Sequence, residues 1–341
     1  MMNFNIHDIV TERYVLNDSD EDLNEKYLNI VYGSDENYQF GAGVSAVSLL
    51  MNNPSTSFRF HFFLDTINPN FVDKLKWIAE QFSTQIIVYK LNHDFLEKLP
   101  ACDVWSSAMY FRLIALDYLA FHYDYALYLD ADVVCHSELN LDANILSQVI
   151  CGVVLDSEMV RSKSGSRLGV PELSTRYFNS GVMFINLKKW QEHEVTKRCL
   201  ALLSAPDAKQ RYKYPDQDVL NLILVDNQVQ LNQRFNTIYT LKNELYDRSH
   251  KKYQQVITDN TTLIHYTGIT KPWHTWANYP SAKPFYIALE QSPWCKNDLK
   301  SASKFVERKK EYKHLLKQKK IVAGCLCGIQ YLLMKVFRNK K

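Results

Sequence analysis

An α/β fold, with a parallel or mixed sheet covered by helices on both faces, is what this sequence predicts, and three observations carry it. The chain has 341 residues at 46% hydrophobic content, enough to bury a full core as one large or two small domains. Four apolar runs of strand length, LNIVYGS (28–34), FRFHFFLD (58–65), TQIIVYKL (84–91) and YALYLDADVV (125–134), are separated by segments of helical period. The runs are nearly continuous and not alternating, as strands buried on both faces require.

Taken in order, residues 1–26 are polar and acidic (Asp18, Asp20, Glu21, Asp22, Glu25) and read as a loosely ordered lead-in, with folding starting near Tyr27. A helix is expected near 41–52, with Val44, Val47, Leu50 and Met51 on one face. A second begins at Asn68-Pro69, where Asn caps and Pro fills the first turn, and runs to about Phe82. A third runs from about Ser107 to Ala120. Beyond Asp132, strands are expected at 150–155, 181–187 and 262–266, and helices near 190–203 and 216–225. No internal repeat or low-complexity linker precedes residue 300, so the domain is expected to span 27–298 with a basic region at 299–341.

The net charge of +3 hides a division. Residues 300–341 hold 13 Lys or Arg against Glu307 and Glu311, about +11, which leaves the body about −8. In this tail, basic residues from Lys304 to Lys320 recur among Phe305, Tyr312, Leu315 and Leu316, and IVAGCLCGIQYLLMKVF follows. The apolar part is too short for a spanning helix, so an in-plane anchor on an anionic bilayer is expected, against the alternatives of a solvated basic helix or a nucleic-acid patch. The seven cysteines, Cys102 among them, are odd in number and mostly set in apolar runs; they read as reduced and buried, not as a disulfide frame or a zinc site. The first residues lack a cationic start followed by an apolar core, so a cytoplasmic location is expected.

The chemistry is expected around YLDADVV. A buried strand delivers Asp130 and Asp132 at its C-terminal end, where open α/β sheets gather ligands. Residues i and i+2 of a strand face the same way, so both carboxylates can converge on one hard cation, which can bridge a nucleoside diphosphate and stabilise the departing charge. A surface turn would carry Asp as well, and the pattern also resembles the nucleophile motif of haloacid-dehalogenase-like phosphatases. Against the phosphatase stand the three β-α units that precede the motif and the lack of a convincing second acidic pair. A non-catalytic nucleotide- or sugar-binding module is a third reading. Three further segments bear on the choice. NIVYGSDENY (29–38) offers Asp35, Asn37 and Tyr38 to a base and ribose, though these are ordinary turn residues too. YPDQDVLN (214–221) puts Asp216, Gln217 and Asp218 at a helix start, where capping alone would explain them. LIHYTGITKPWH (263–274) supplies an imidazole, His265, to complete a metal site and a cation, Lys271, to hold a phosphate.

With AMYFRL (108–113) and YFNSGVMFINLKKW (177–190), these segments occur in the order found in glycosyltransferase family 8, which the chain resembles from about residue 28 to 295. The resemblance extends into the tail for the lipopolysaccharide outer-core α-1,2-glucosyl- and galactosyltransferases of enteric bacteria. It implies a GT-A fold, a Rossmann-like nucleotide-binding mixed sheet. It also implies retaining transfer of glucose from UDP-glucose, or of galactose from UDP-galactose, to a lipopolysaccharide core acceptor at the cytoplasmic face of the inner membrane, with manganese (or magnesium) and no nucleic-acid partner. Carried over by residue, Gly33, Asp35, Asn37 and Tyr38 surround uracil and ribose. Arg112 reaches donor sugar or phosphates. Asp130 and Asp132, flanking Ala131, ligate the metal with His265. Asp156 and Asn179 bond the transferred sugar. Asp216 and Gln217 stand at its hydroxyls and reacting carbon, and Gly268 and Lys271 contact the diphosphate. Gly33 and Ser34 stand where relatives often carry Ala; both are small, so a close backbone approach to the base is still expected.

Overall fold

The computed structural model describes residues 9–17, 27–92, 94, 96–100, 106–297 and 299–338. Most of the expected lead-in (1–8 and 18–26), Cys102, and the last basic residues Lys340 and Lys341 lie outside the described residues.

Along the chain the elements are β1 (Val10–Leu16), β2 (Leu28–Ser34), α1 (Glu36–Asn52), β3 (Phe58–Leu64), α2 (Pro69–Gln81), β4 (Gln85–Leu91), α3 (Phe111–Leu119), β5 (Tyr125–Leu129), β6 (Val133–Cys135) and β7 (Cys151–Leu155). They continue with α4 (Glu158–Leu168), α5 (Leu173–Arg176), β8 (Phe178–Asn186), α6 (Leu187–Glu192), α7 (Val195–Leu203), α8 (Ala208–Arg211), α9 (Pro215–Leu224) and β9 (Gln228–Gln230). The last are β10 (Thr237–Tyr239), β11 (Leu263–Tyr266), α10 (Lys283–Glu290), α11 (Phe305–Lys317) and α12 (Ile321–Arg338).

Eight strands form a mixed sheet in the order β1-β4-β3-β2-β5-β8-β7-β9. Strands β4, β3, β2 and β5 run parallel, and β8 runs antiparallel to both β5 and β7. Side chains alternate across it. On β3, Phe58, Phe60, Phe62 and Leu64 enter the core shared with α1, α2 and α10, while Phe63 enters the opposite core with α3, α7 and α9. The two polar residues between them are buried and paired: His61 bonds Tyr89 and Asn29, and Arg59 bonds Gln85. As expected, Asn68 caps α2 by accepting from the Asn70 amide, and Pro69 fills its first turn.

Two expectations are corrected here. Part of the lead-in is structured, because residues 10–16 form an edge strand antiparallel to β4; alternation of Val10, Val15 and Leu16 with charged positions is weak as a strand signal and was outweighed by the acidic run behind it. The expected strand 125–134 is also broken, since β5 stops at Leu129 and β6 leaves the main sheet to join β10 and β11.

Candidate active site

That break builds the site. After Leu129 the chain turns, with the Asp130 amide donating to Gly181 O (2.8 Å) and the Val133 amide donating to Asp130 O (3.0 Å). Asp130 and Asp132 therefore converge from a turn and not from alternate positions of a strand. β6 pairs antiparallel with β11, placing His265 opposite Val133. One carboxylate oxygen from each Asp and a ring nitrogen of His265 then lie within 4.8 Å of one another.

A chain of hydrogen bonds fixes which atom His265 presents. The Gly181 amide must donate, so the atom of Asn179 that it meets at 3.1 Å is the carbonyl oxygen. Asn236 donates Nδ2 to that same oxygen (3.0 Å), so its own Oδ1 faces His265 Nδ1 (3.1 Å), which carries the proton. Nε2 is left as a lone pair 3.1 Å from Asp132 Oδ1 and 3.8 Å from Asp130 Oδ2. Acceptors so close call for a cation between them, and a carboxylate–carboxylate–imidazole set with an oriented ring fits a divalent metal. The neighbouring glycine makes room, for a Cβ on Gly181 would lie 2.3 Å from His265 Cε1 and 2.7 Å from Asp130 Oδ2.

Two buried cations pair with the carboxylates. Arg112 donates to Asp130 Oδ1 (2.8 Å), lies 3.3 Å from Asp216 Oδ2 and also bonds Ser180 O. Arg112, expected to reach donor sugar or phosphates, lines the cleft and pairs there with carboxylates. Lys271 Nζ pairs with Asp132 and donates to Tyr266 O (3.0 Å). Burial opposes the Asp132 charge, yet Lys271 beside it holds its carboxyl well below the usual range. Burial pushes Asp216 up, with Arg112 opposing. Asp130, Asp132 and Asp216 thus share two paired cations, Arg112 and Lys271, one carboxylate in excess that a bound cation would offset.

These groups line a cleft of about 600 Å³. Asn37, Tyr38, Arg112, Asp130, Asp132 and Asp156 reach it, as do Asn179, Asp216, Gln217, His265, Gly268 and Lys271. Gly33, Ser34, Asp35 and Ala131 are not among its lining residues. Asp35 instead caps α1 through the Asn37 amide (3.0 Å) and accepts from Ser106 Oγ (2.8 Å). Gly33 is also held small by packing: a Cβ there would meet Phe111 Cβ at 2.8 Å, a constraint set by α3 against β2.

At the far wall, Gln217 Oε1 accepts from the Ser180 amide (3.1 Å) and Asn179 Nδ2 (3.2 Å), which turns its Nε2 toward Asp156 Oδ2 (2.9 Å) and Tyr177 Oη (3.1 Å). Tyr177 in turn donates to Asp218, which accepts from Arg167 and from the Lys213 and Tyr214 amides. The two readings of YPDQDVLN therefore divide within it: Asp218 holds the helix start, and Asp216 and Gln217 face the cleft. Asn236, Tyr177 and Lys300 were missed in the sequence. Tyr177 opens the YFNSGVMFINLKKW segment and Lys300 stands where the basic tail begins; Asn236 had no signal and acts through contacts far away in sequence.

Comparison with known proteins agrees with this geometry. The profile of Glycosyl transferase family 8 matches residues 29–277, and that of Glycosyl transferase family 8 C-terminal matches residues 279–335. A lipopolysaccharide 1,2-glucosyltransferase of Escherichia coli K12 is 45% identical over 313 residues, covering 92% of each chain. A lipopolysaccharide 1,3-galactosyltransferase of Salmonella typhimurium is 35% identical over 312 residues, covering 91% of each. Among solved structures, the galactosyltransferase LgtC in complex with donor and acceptor sugar analogues superposes with a TM-score of 0.64 at 26% identity, covering 78% of this chain and 96% of that one. The phosphatase and the non-catalytic module fall with these matches: the chain belongs to glycosyl transferase family 8 and is a glycosyltransferase of GT-A fold.

Proposed function

We propose that the enzyme transfers glucose from UDP-glucose to an outer-core sugar of lipopolysaccharide, in α-1,2 linkage and with retention. The observation that carries this is the 45% identity, across nearly the whole of both chains, to a lipopolysaccharide 1,2-glucosyltransferase; a second relative of that name is 41% identical, whereas the 1,3-galactosyltransferase stands at 35%. UDP-galactose is the runner-up donor.

In this reading Asp130, Asp132 and His265 hold manganese, which neutralises charge on the departing diphosphate. The mixed oxygen and nitrogen ligand set favours manganese over magnesium, which prefers oxygen alone. Tyr38, half exposed and edge-on to Trp273 with ring centroids 5.7 Å apart, offers a face to the base beside Asn37. Lys271, which pairs with Asp132 at the cleft, would contact the diphosphate with Gly268 at its side. Asp156 and Asn179 bond the sugar hydroxyls, and Arg112 reaches the donor through the carboxylates that it orders. Gln217 is an amide whose oxygen already accepts two hydrogen bonds, which supports front-face attack by the acceptor over a covalent intermediate on this side chain. If Gln217→Ala keeps near-normal turnover, a direct role for that side chain is excluded.

The reading extends to a peripheral site on the cytoplasmic face of the inner membrane. Among the described residues no helix is long and apolar enough to cross a membrane. On α12, however, Val322, Leu326, Ile329, Leu333 and Val336 are all more than half exposed at alternating spacings of four and three, which makes one apolar stripe.

The test is a donor panel on purified protein with manganese, following UDP release with and without truncated lipopolysaccharide acceptors. Acceptor-dependent release from UDP-glucose well above that from UDP-galactose is expected. Preference for UDP-galactose, or release indifferent to acceptor, would overturn the assignment.

A further inference from the structure

The segment from Lys300 to Gln318 does more than lead to a membrane helix. It grips the loop between β11 and α10 that carries Lys271. Lys300 forms a parallel bridge with His274, its amide donating to Trp273 O (2.9 Å) and its carbonyl accepting from the Thr275 amide (3.1 Å). Gln318 Nε2 donates to Trp276 O (2.8 Å). Trp276 packs with Ala302 and Leu315 in a separate small core.

At the centre is His314 of α11, fully buried although it belongs to a basic helix. Its Nε2 lies 3.2 Å from Thr270 Oγ1 and its Nδ1 2.7 Å from Tyr279 Oη. Burial holds the imidazole neutral, its pKa lowered to about 4, so one nitrogen donates and the other accepts. Thr270 immediately precedes Lys271, whose own amide donates to His274 Nδ1 (3.1 Å). The backbone on both sides of Lys271 is thus fixed from the C-terminal segment. The same segment reaches the nucleotide side of the cleft, where Lys300 Nζ donates to Asn37 O.

We propose that residues 300–318 are a clamp that sets the position of Lys271, with His314 as its positioning residue. The inference rests on the reading of Lys271 as a contact to the donor diphosphate. His314 touches no reacting group; it acts by holding Thr270, and through it the Lys271 backbone, against α11. The C-terminal region is by this account part of the donor site and not a detachable anchor.

The experiment is a double-mutant cycle on the full chain, measuring UDP affinity in manganese and the KM and kcat for UDP-sugar hydrolysis. His314→Ala is expected to weaken UDP and raise KM by about tenfold to a hundredfold, the order of effect of a displaced positioning group, with a smaller change in kcat. His314→Gln, which keeps a donor and an acceptor, is expected to recover most of the loss. In a Lys271→Ala background His314→Ala should add less than about twofold, because the two act as a unit. Equal losses in both backgrounds, or unchanged UDP affinity in His314→Ala, would overturn the clamp. Should His314→Ala fail to fold, the near-isosteric Thr270→Val removes the same contact from the loop side and runs the same cycle. Lys271→Ala alone leaving UDP affinity intact would instead overturn the diphosphate role of Lys271, a separate failure.

Discussion

Helices α11 and α12 follow each other in the chain and pack together, Tyr331 of α12 stacking on Phe305 of α11 at 4.9 Å, yet they meet opposite surroundings. The basic helix, α11, turns His314 and Leu315 inward, against Thr270, Tyr279 and Trp276 of the catalytic domain. The apolar one, α12, leaves its stripe from Val322 to Val336 exposed. In a soluble body the apolar helix should be the buried one. The inversion separates two tasks that the sequence presents as a single amphipathic tail: α11 serves the donor site, and α12 offers a surface to something outside it.

The difference is most easily broken by truncation. Ending the chain after Lys304 removes both helices and should abolish metal-supported UDP binding, because Trp276 and Thr270 lose their cover. Ending it after Lys320 removes α12 alone and should leave UDP release from soluble donor within about threefold, an effect typical of changes away from the site. A Lys320 truncation as inactive as the Lys304 truncation would erase the distinction.

A smaller effect is expected from point changes on the two faces. Leu315→Ala should destabilise the fold by roughly 2–4 kcal/mol, the range for deleting a buried leucine side chain, as read by denaturant unfolding. Leu326→Glu with Leu333→Glu should change stability by less than about 1 kcal/mol, yet lower partition onto anionic vesicles at least about tenfold, because two leucines no longer enter the interface. Unchanged partition, or loss of a dimer in its place, would move α12 from a membrane to a second copy.

Acid gives the smallest and most graded separation. His314 has a folded pKa lowered to about 4, below that of a free imidazole near 6.5, so the unfolded chain binds the extra proton first. Its contribution is complete above about pH 6.5 and is lost as pH falls toward about 4. His314→Gln should flatten this part of the melting-temperature profile, whereas substitutions in the α12 stripe should not.

The strands and the candidate metal ligands were legible because each is local. Apolar runs mark β2 to β5, and Asp130, Asp132 and His265 sit in segments with recognisable spacing. What was not legible depends on pairing at a distance. Nothing near Asp130 says that β6 crosses to β11, which makes the two carboxylates meet His265 from a turn. Asn236 sets the His265 tautomer from an unremarkable turn, and Asp35, expected as a nucleotide contact, also caps a helix. His314 reads as one more polar residue in KKEYKHLLK, because only the fold brings Thr270 and Tyr279 to its two nitrogens.

The most direct test of the metal-bridged donor site is UDP affinity with and without manganese, in the full chain and in Asp132→Asn. The expected result is that manganese tightens UDP by at least about tenfold in the natural chain, the scale on which losing part of a metal site is felt, and has no effect in the variant. Equal tightening in both proteins, or none in either, would contradict it.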